Sequence, residues 1–144
     1  MQAATDFDLK IHLHRLLQDE PFFSAISRRV NKTASRALPT AGVTVDKETL
    51  QFKMLYNPEF FQDMPERHVK GVLIHEFYHL IFKHVTSRKP EGIPMIVWNI
   101  ACDLAINCMI GQDNLPENCC YPGVAQFEDY PEGKTAEFYL YMMK

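Results

Sequence analysis

Residues 93–110 of this chain read IPMIVWNIACDLAINCMI. On a helix that run is apolar almost all round, the pattern of a helix covered by its own protein on nearly every side. Its polar exceptions, Asn99, Asp103 and Asn107, recur at i, i+4 and i+8 and so form one stripe. A buried stripe has to be satisfied. An amide needs hydrogen-bond partners, and a carboxylate needs a cation or several donors. The rest of the chain must therefore supply an element that covers this helix and meets Asp103 with suitable groups. The plainer alternative is an internal hydrogen-bonded row without a cation.

The histidines point to that element. Four of the six, His68, His75, His79 and His84, fall within 17 residues. Residues 75–79 read His-Glu-Phe-Tyr-His, and on a helix positions i and i+4 share a face. His75 and His79 can thus turn their imidazoles on one metal ion, with Glu76 about 100° around the helix. There Glu76 is placed as the catalytic general base that takes a proton from water activated by the metal. The alternative for this pair is a helix carrying two solvated or core histidines.

A third ligand is required for a tetrahedral site that keeps one position for water. His84 lies about 140° off the face of His79 and about 180° off that of His75, which turns it towards the surface or an outer, supporting position. Glu91 and Glu117 fall in expected loops. Asp103, a carboxylate on a buried helix, is the strongest candidate, giving His75, His79 and Asp103 as the metal set. Two histidines and a carboxylate suit zinc, one ion per chain. Asn99 and Asn107 are candidates to orient these ligands. His68, seven residues before His75, is only about 20° off its face and is a candidate to line the cleft. Tyr121 and Tyr130 sit in a loop that could close over the site and supply an oxyanion donor. The aromatics Phe22, Phe23, Phe60, Phe61, Phe77 and Trp98 read as core.

The organisation expected around this site is α+β and mostly helical. Residues 1–36 read as N-terminal helices, one over 6–19 and a second over about 22–35 opened by Pro21. Residues 43–56 read as a β-hairpin, with Leu50, Phe52 and Met54 alternating with Gln51 and Lys53. Asn57-Pro58 starts a short helix. Residues 63–88 form the histidine helix, opened by capping-box spacing between Asp63 and Glu66. After the 93–110 helix, Gly111 is a natural stop, and 112–144 hold a long loop and a last helix near 135–143. At 144 residues the chain has room for one domain, 1–144.

Composition narrows the setting. A net charge of −3 carries no electrostatic footprint for nucleic acid or an anionic membrane. The longest apolar stretch is interrupted by Pro94, Asn99, Asp103 and Asn107, so no span is expected, and no leader pattern opens the chain. The four cysteines include the adjacent pair Cys119–Cys120 and no CxxC, which speaks for reduced thiols in a cytoplasmic protein rather than a disulfide framework or cysteine zinc site.

The stretches PFFSAI (21–26), LPTAGVTVD (38–46), LYNPEFF (55–61), VLIHEFYHLIFKH (72–84), WNIACDLAIN (98–107), LPENCCYPG (115–123) and GKTAEFYLYMM (133–143) together resemble a known family. It is the HExxH metallopeptidase domain that, in many bacterial proteins, precedes a von Willebrand A-like domain. The resemblance implies a zincin-like minimal fold, a hydrolase acting on a peptide or protein substrate, His75, His79 and Asp103 as ligands, and Glu76 as base. His84 matches a histidine often present in the family pattern. The chain ends at Lys144 without the second domain, whose contribution is expected either from a partner protein in its place or not to be needed. In zincin-like folds the strand beside the active helix pairs with extended substrate, and here Leu50–Tyr56 is the expected edge. The competing function is a metal-stabilised structural or protein-binding module with little or no turnover.

Overall fold

The computed structural model describes residues 7–46, 48–49, 51–82, 89–117 and 119–143. Helix α1 spans Leu9–Asp19, and the Asp8 carboxylate accepts from the Lys10 amide at its start. Helix α2, Pro21–Ser27, begins with proline at its first position, where no amide hydrogen is needed. The expected continuation of this helix to 35 is corrected. Val30–Ala34 is instead strand β1, pairing parallel with Phe52–Tyr56 in the register Val30↔Phe52 to Ala34↔Tyr56. The β-branched Val30 and Thr33 suit a strand, and the pairing across 22 residues of sequence outweighs a weak local helical preference.

The hairpin is present. Strand β2, Ala41–Val45, runs antiparallel to β3, Phe52–Tyr56. Its turn is tightened by the Asp46 carboxylate, which accepts from the amides of Glu48 and Thr49 at 2.9 and 3.1 Å. The sheet order is β1-β3-β2. This corrects the expected substrate edge: β3 is the central strand with both sides paired, and β2 is the edge strand packed beside the histidine helix.

Asn57 caps the single-turn helix α3, Pro58–Phe61, by accepting from the Glu59 amide. Helix α4 is Glu66–Ile81. It starts at Glu66 with Pro65 before it and no side-chain cap, so the capping box expected from Asp63 does not form. Asp63 stands two residues ahead of the cap, too far back to serve it. The expected end of this helix at 88 lies outside the described residues. Helix α5, Met95–Ile110, stops at Gly111, whose φ of 94° suits glycine. Single 3-10 turns follow at Gln112–Asn114 and Ala125–Phe127, and α6 covers Ala136–Met142, with Thr135 capping Phe138. The fold is α+β, mostly helical with a small sheet.

Two apolar clusters flank the middle of the molecule. One joins Leu16, Phe23, Val30, Met54 and Phe61 to Val69, Leu73 and Phe77 of α4. The other joins Trp98, Ala101, Cys102 and Leu104 of α5 to Phe127, Tyr139 and Leu140. Tyr139 donates its hydroxyl to the Pro131 carbonyl at 2.6 Å and so ties the loop before α6 to this second cluster. Two expectations of burial are corrected. Phe22 is 62% exposed, because α2 turns only Phe23 of the pair inwards. Helix α5 is not covered all round: α4 and α6 cover two sides, leaving Met95, Ile96 and Met109 at the surface.

Helices α4 and α5 meet antiparallel, with residue 75 opposite 107 and 79 opposite 103. One turn before His75 on the same face is Gly71. A methyl group there would collide with the Asn114 carbonyl oxygen and crowd its carbon, while meeting the Ile110 side chain at an ordinary contact distance. The bare glycine thus lets the turn after α5 seat against α4, although glycine inside a helix is unfavourable by about 1 kcal/mol relative to alanine. Gly71→Ala is expected to recover that propensity but lose about 1–3 kcal/mol to overpacking against rigid backbone, for a net loss read as a lower urea midpoint. A midpoint equal to or above wild type contradicts the close approach.

Candidate metal centre

The antiparallel meeting of α4 and α5 brings three ligand-type atoms together. The His75 Nε2 lies 3.0 Å and the His79 Nε2 3.2 Å from the Asp103 Oδ1, and the two Nε2 atoms are 3.1 Å apart. Among the described residues these three are the group of histidine, cysteine or acidic side chains close enough to hold one metal ion. The edges of this nearly equilateral triangle fit a common ion. Bonds of about 2.0–2.1 Å to nitrogen and oxygen in a tetrahedron put ligand atoms about 3.3–3.4 Å apart. A donor set of two imidazoles and one carboxylate matches that use chemically.

Asn107 holds the triangle from behind. Its Oδ1 is 2.7 Å from the His75 Nδ1, and its Nδ2 donates to the Cys120 carbonyl at 2.7 Å. The second bond fixes which end of the amide faces the histidine, so Nδ1–H donates to Asn107 and the Nε2 faces Asp103 and His79. Asn107 is only 2% exposed, so this chain of bonds is shielded from solvent. Asn99, in the same stripe, is exposed and lines the cavity wall without reaching the triangle's partners.

Glu76 is 8% exposed and lines the same cavity. Burial pushes its carboxyl pKa up, an effect opposed by His75 and His79 and reinforced by Asp103. For His75, burial alone would lower the pKa. The hydrogen bond to Asp103, the charges of Glu76 and Asp103 and the bond to Asn107 outweigh it and hold the imidazole at about 9. Burial would raise the Asp103 pKa, yet the two histidines draw it well below the usual carboxylate range.

The cavity has a volume of about 470 Å³. It is lined by Thr40 and the β2 residues Ala41–Val43, by the apolar Phe60 and Val72, and by a wall of Leu115, Pro116, Glu117, Cys119 and Cys120. That last wall was not anticipated from the sequence. Glu117 stands at the cavity rim rather than in the triangle, and the adjacent cysteines sit beside the site. Burial pushes both thiols up, and the charge of Asp103 adds to this.

The remaining sequence candidates are elsewhere. His68 is 3.0 Å from the Asp113 carbonyl and lines an adjoining groove with Phe60, Pro116 and Glu117, where it fastens the 3-10 turn after α5. Tyr121 faces a neighbouring cavity, where burial and a hydrogen bond to Glu132 push its pKa up to about 12. Tyr130 stacks on Tyr139 and meets Phe127 in the second core, so neither tyrosine lines this site. His84 lies outside the described residues. No helix among the described residues is long and apolar enough to cross a membrane.

Residues 6–138 match the model of a family described as "putative metallopeptidase domain", and the chain belongs to that family. It is also 28% identical over 99 residues to an uncharacterized protein of Thermotoga maritima; that stretch is 69% of this chain and 25% of the relative, so the chain matches about a quarter of the relative's length. No solved structure matches.

In metal-free buffer the His75–Asp103 pair gives a defined pH profile. His75, with its folded pKa raised, contributes stability that is complete below 6.5 and lost as the pH rises through about 9. Asp103, with its folded pKa lowered, contributes stability above 3.8 that is lost as the pH falls. Raised Glu76 adds to the loss at higher pH. Asp103 is 34% exposed at its side chain and partly screened, so stability should fall by about 1–2 kcal/mol between pH 6.5 and 9. Urea titrations should show this fall, and Asp103→Asn should flatten it. A profile that rises across that interval contradicts the pairing.

Proposed function

We propose that the chain, as a member of this metallopeptidase-domain family, is a zinc peptidase in which His75, His79 and Asp103 hold the ion and Glu76 is the general base. The observation that carries this reading is the triangle of ligand atoms with edges of 3.0–3.2 Å beside a buried glutamate in an open cavity. Zinc bound there supplies a Lewis acid for the scissile carbonyl and lowers the pKa of water towards neutrality.

The chain's own residues do the rest. Glu76 takes a proton from the attacking water and returns it to the leaving amine. Its burial raises the carboxyl pKa, which favours holding the proton between the two transfers. Asn107 keeps His75 in the tautomer whose Nε2 lone pair is free for a metal. The β2 edge, Ala41–Val45, offers unpaired backbone groups beside α4, and an extended peptide can lie along it as a further strand. Phe60, Val72 and Leu115 then meet an apolar side chain of that peptide.

Glu76→Gln is expected to keep a single zinc per chain by elemental analysis and to lower the turnover of a peptide library by at least about 100-fold. Asn107→Ala should weaken zinc binding by about 10–100-fold in competition with a chromogenic chelator. A wild-type chain that takes up no stoichiometric zinc overturns the metal reading. One that holds zinc, cleaves no peptide and is indifferent to Glu76→Gln is instead a metal-stabilised binding module.

A further inference from the structure

We propose that Cys119 and Cys120 form a dithiol modification site in the wall of the metal cavity, closed reversibly to a vicinal disulfide by a low-molecular-weight disulfide, and that closure disturbs the Asn107–His75 bond. All four cysteines are free thiols, but they are not equivalent. Cys102 is fully buried in the second apolar cluster, and the Cys108 thiol donates to the Leu104 carbonyl within α5. Cys119 and Cys120 are half-buried, line the metal cavity, and also line the neighbouring one, so a small reagent can approach from either side.

Adjacency sets the character of the bond. Consecutive Cα atoms are about 3.8 Å apart, closer than the roughly 4.4–6.8 Å of ordinary disulfides. Closure must distort the backbone of these two residues, and a strained disulfide is readily reduced again. The strained ring encloses the Cys119–Cys120 peptide, and the backbone group attached to the ring at the Cys120 Cα is one the site depends on. The Cys120 carbonyl accepts the Asn107 Nδ2–H at 2.7 Å, and Asn107 in turn accepts the His75 Nδ1–H. Moving that carbonyl frees the amide that orients His75.

The exchange balances. Burial raises the pKa of both thiols, so the exchange needs a mildly alkaline buffer that ionises one of them; that thiolate attacks the small disulfide, forming a mixed disulfide and releasing one thiol. The second cysteine attacks the sulfur of the first, the new S–S bond forms, and the second small thiol leaves. The protein loses two electrons and two protons, and the small disulfide gains them. The effect on metal binding rests on the zinc reading above, whereas the dithiol chemistry does not.

The test treats the purified chain with oxidised glutathione. The expected product has lost two hydrogens by intact mass, with the bond mapped to the peptide that holds Cys119 and Cys120. Its zinc affinity falls by about 10–100-fold in chelator competition and returns with dithiothreitol. In the metal-free chain, the His75 Nδ1 resonance shifts on oxidation and recovers on reduction. Cys119→Ser keeps the affinity of the reduced chain and abolishes the response. A persistent glutathione adduct, a disulfide involving Cys102 or Cys108, or a vicinal disulfide that leaves the His75 resonance unchanged overturns the proposal. A reduced chain that binds no zinc overturns the zinc reading instead, and the mass and resonance measurements still decide this one.

Discussion

The antiparallel contact of α4 and α5 is the constraint on which the rest of the structure hangs. Two polar stripes, one on each helix, have to find each other because neither is stable against an apolar surface. His75 and His79 answer Asp103, and His75 answers Asn107. Gly71 lets the turn that follows α5 seat closely against α4, one helical turn before His75. Removing Asn107, which is shielded from solvent, would leave the His75 Nδ1–H and the Cys120 carbonyl without that partner, which is more damaging than the loss of one hydrogen bond.

The same contact decides what surrounds the site. Seating of residues 112–114 on Gly71 directs the following segment back across the cavity, which is how Leu115, Glu117, Cys119 and Cys120 become its wall. His68 adds a second fastening through the Asp113 carbonyl. On the opposite side, β2 stands at the edge of the sheet only because β1 takes the far side of β3. The site is thus bounded by one strand edge and one loop, joined by the helix pair.

What was legible in the sequence follows the range of the interactions. The helical period is local, so the His75–His79 spacing and the stripe at Asn99, Asp103 and Asn107 could be read directly, as could the stop at Gly111 and the cap at Asn57. The pairing of Val30–Ala34 with β3 is parallel and distant, and nothing within residues 22–35 announces it; the same blind spot put the substrate edge on the wrong strand. The cysteines were judged by their spacing alone, which cannot show that a glycine 43 residues away from Asn114 brings their loop to the site. Helical spacing put His68 on the right side of α4 but could not foresee that a loop carbonyl would occupy it.

The two apolar clusters lie on opposite sides of this centre, one built on α4 and the sheet, the other on α5 and α6. Each half has its own reason to collapse, and the bonds between the stripes are a large part of what makes them unfold together. The cleft is therefore also the seam of cooperativity in the molecule. Amide protons of Val69–Phe77 and of Trp98–Leu104 are expected to exchange through one common opening while the seam holds, and to separate into two classes of protection when it is cut.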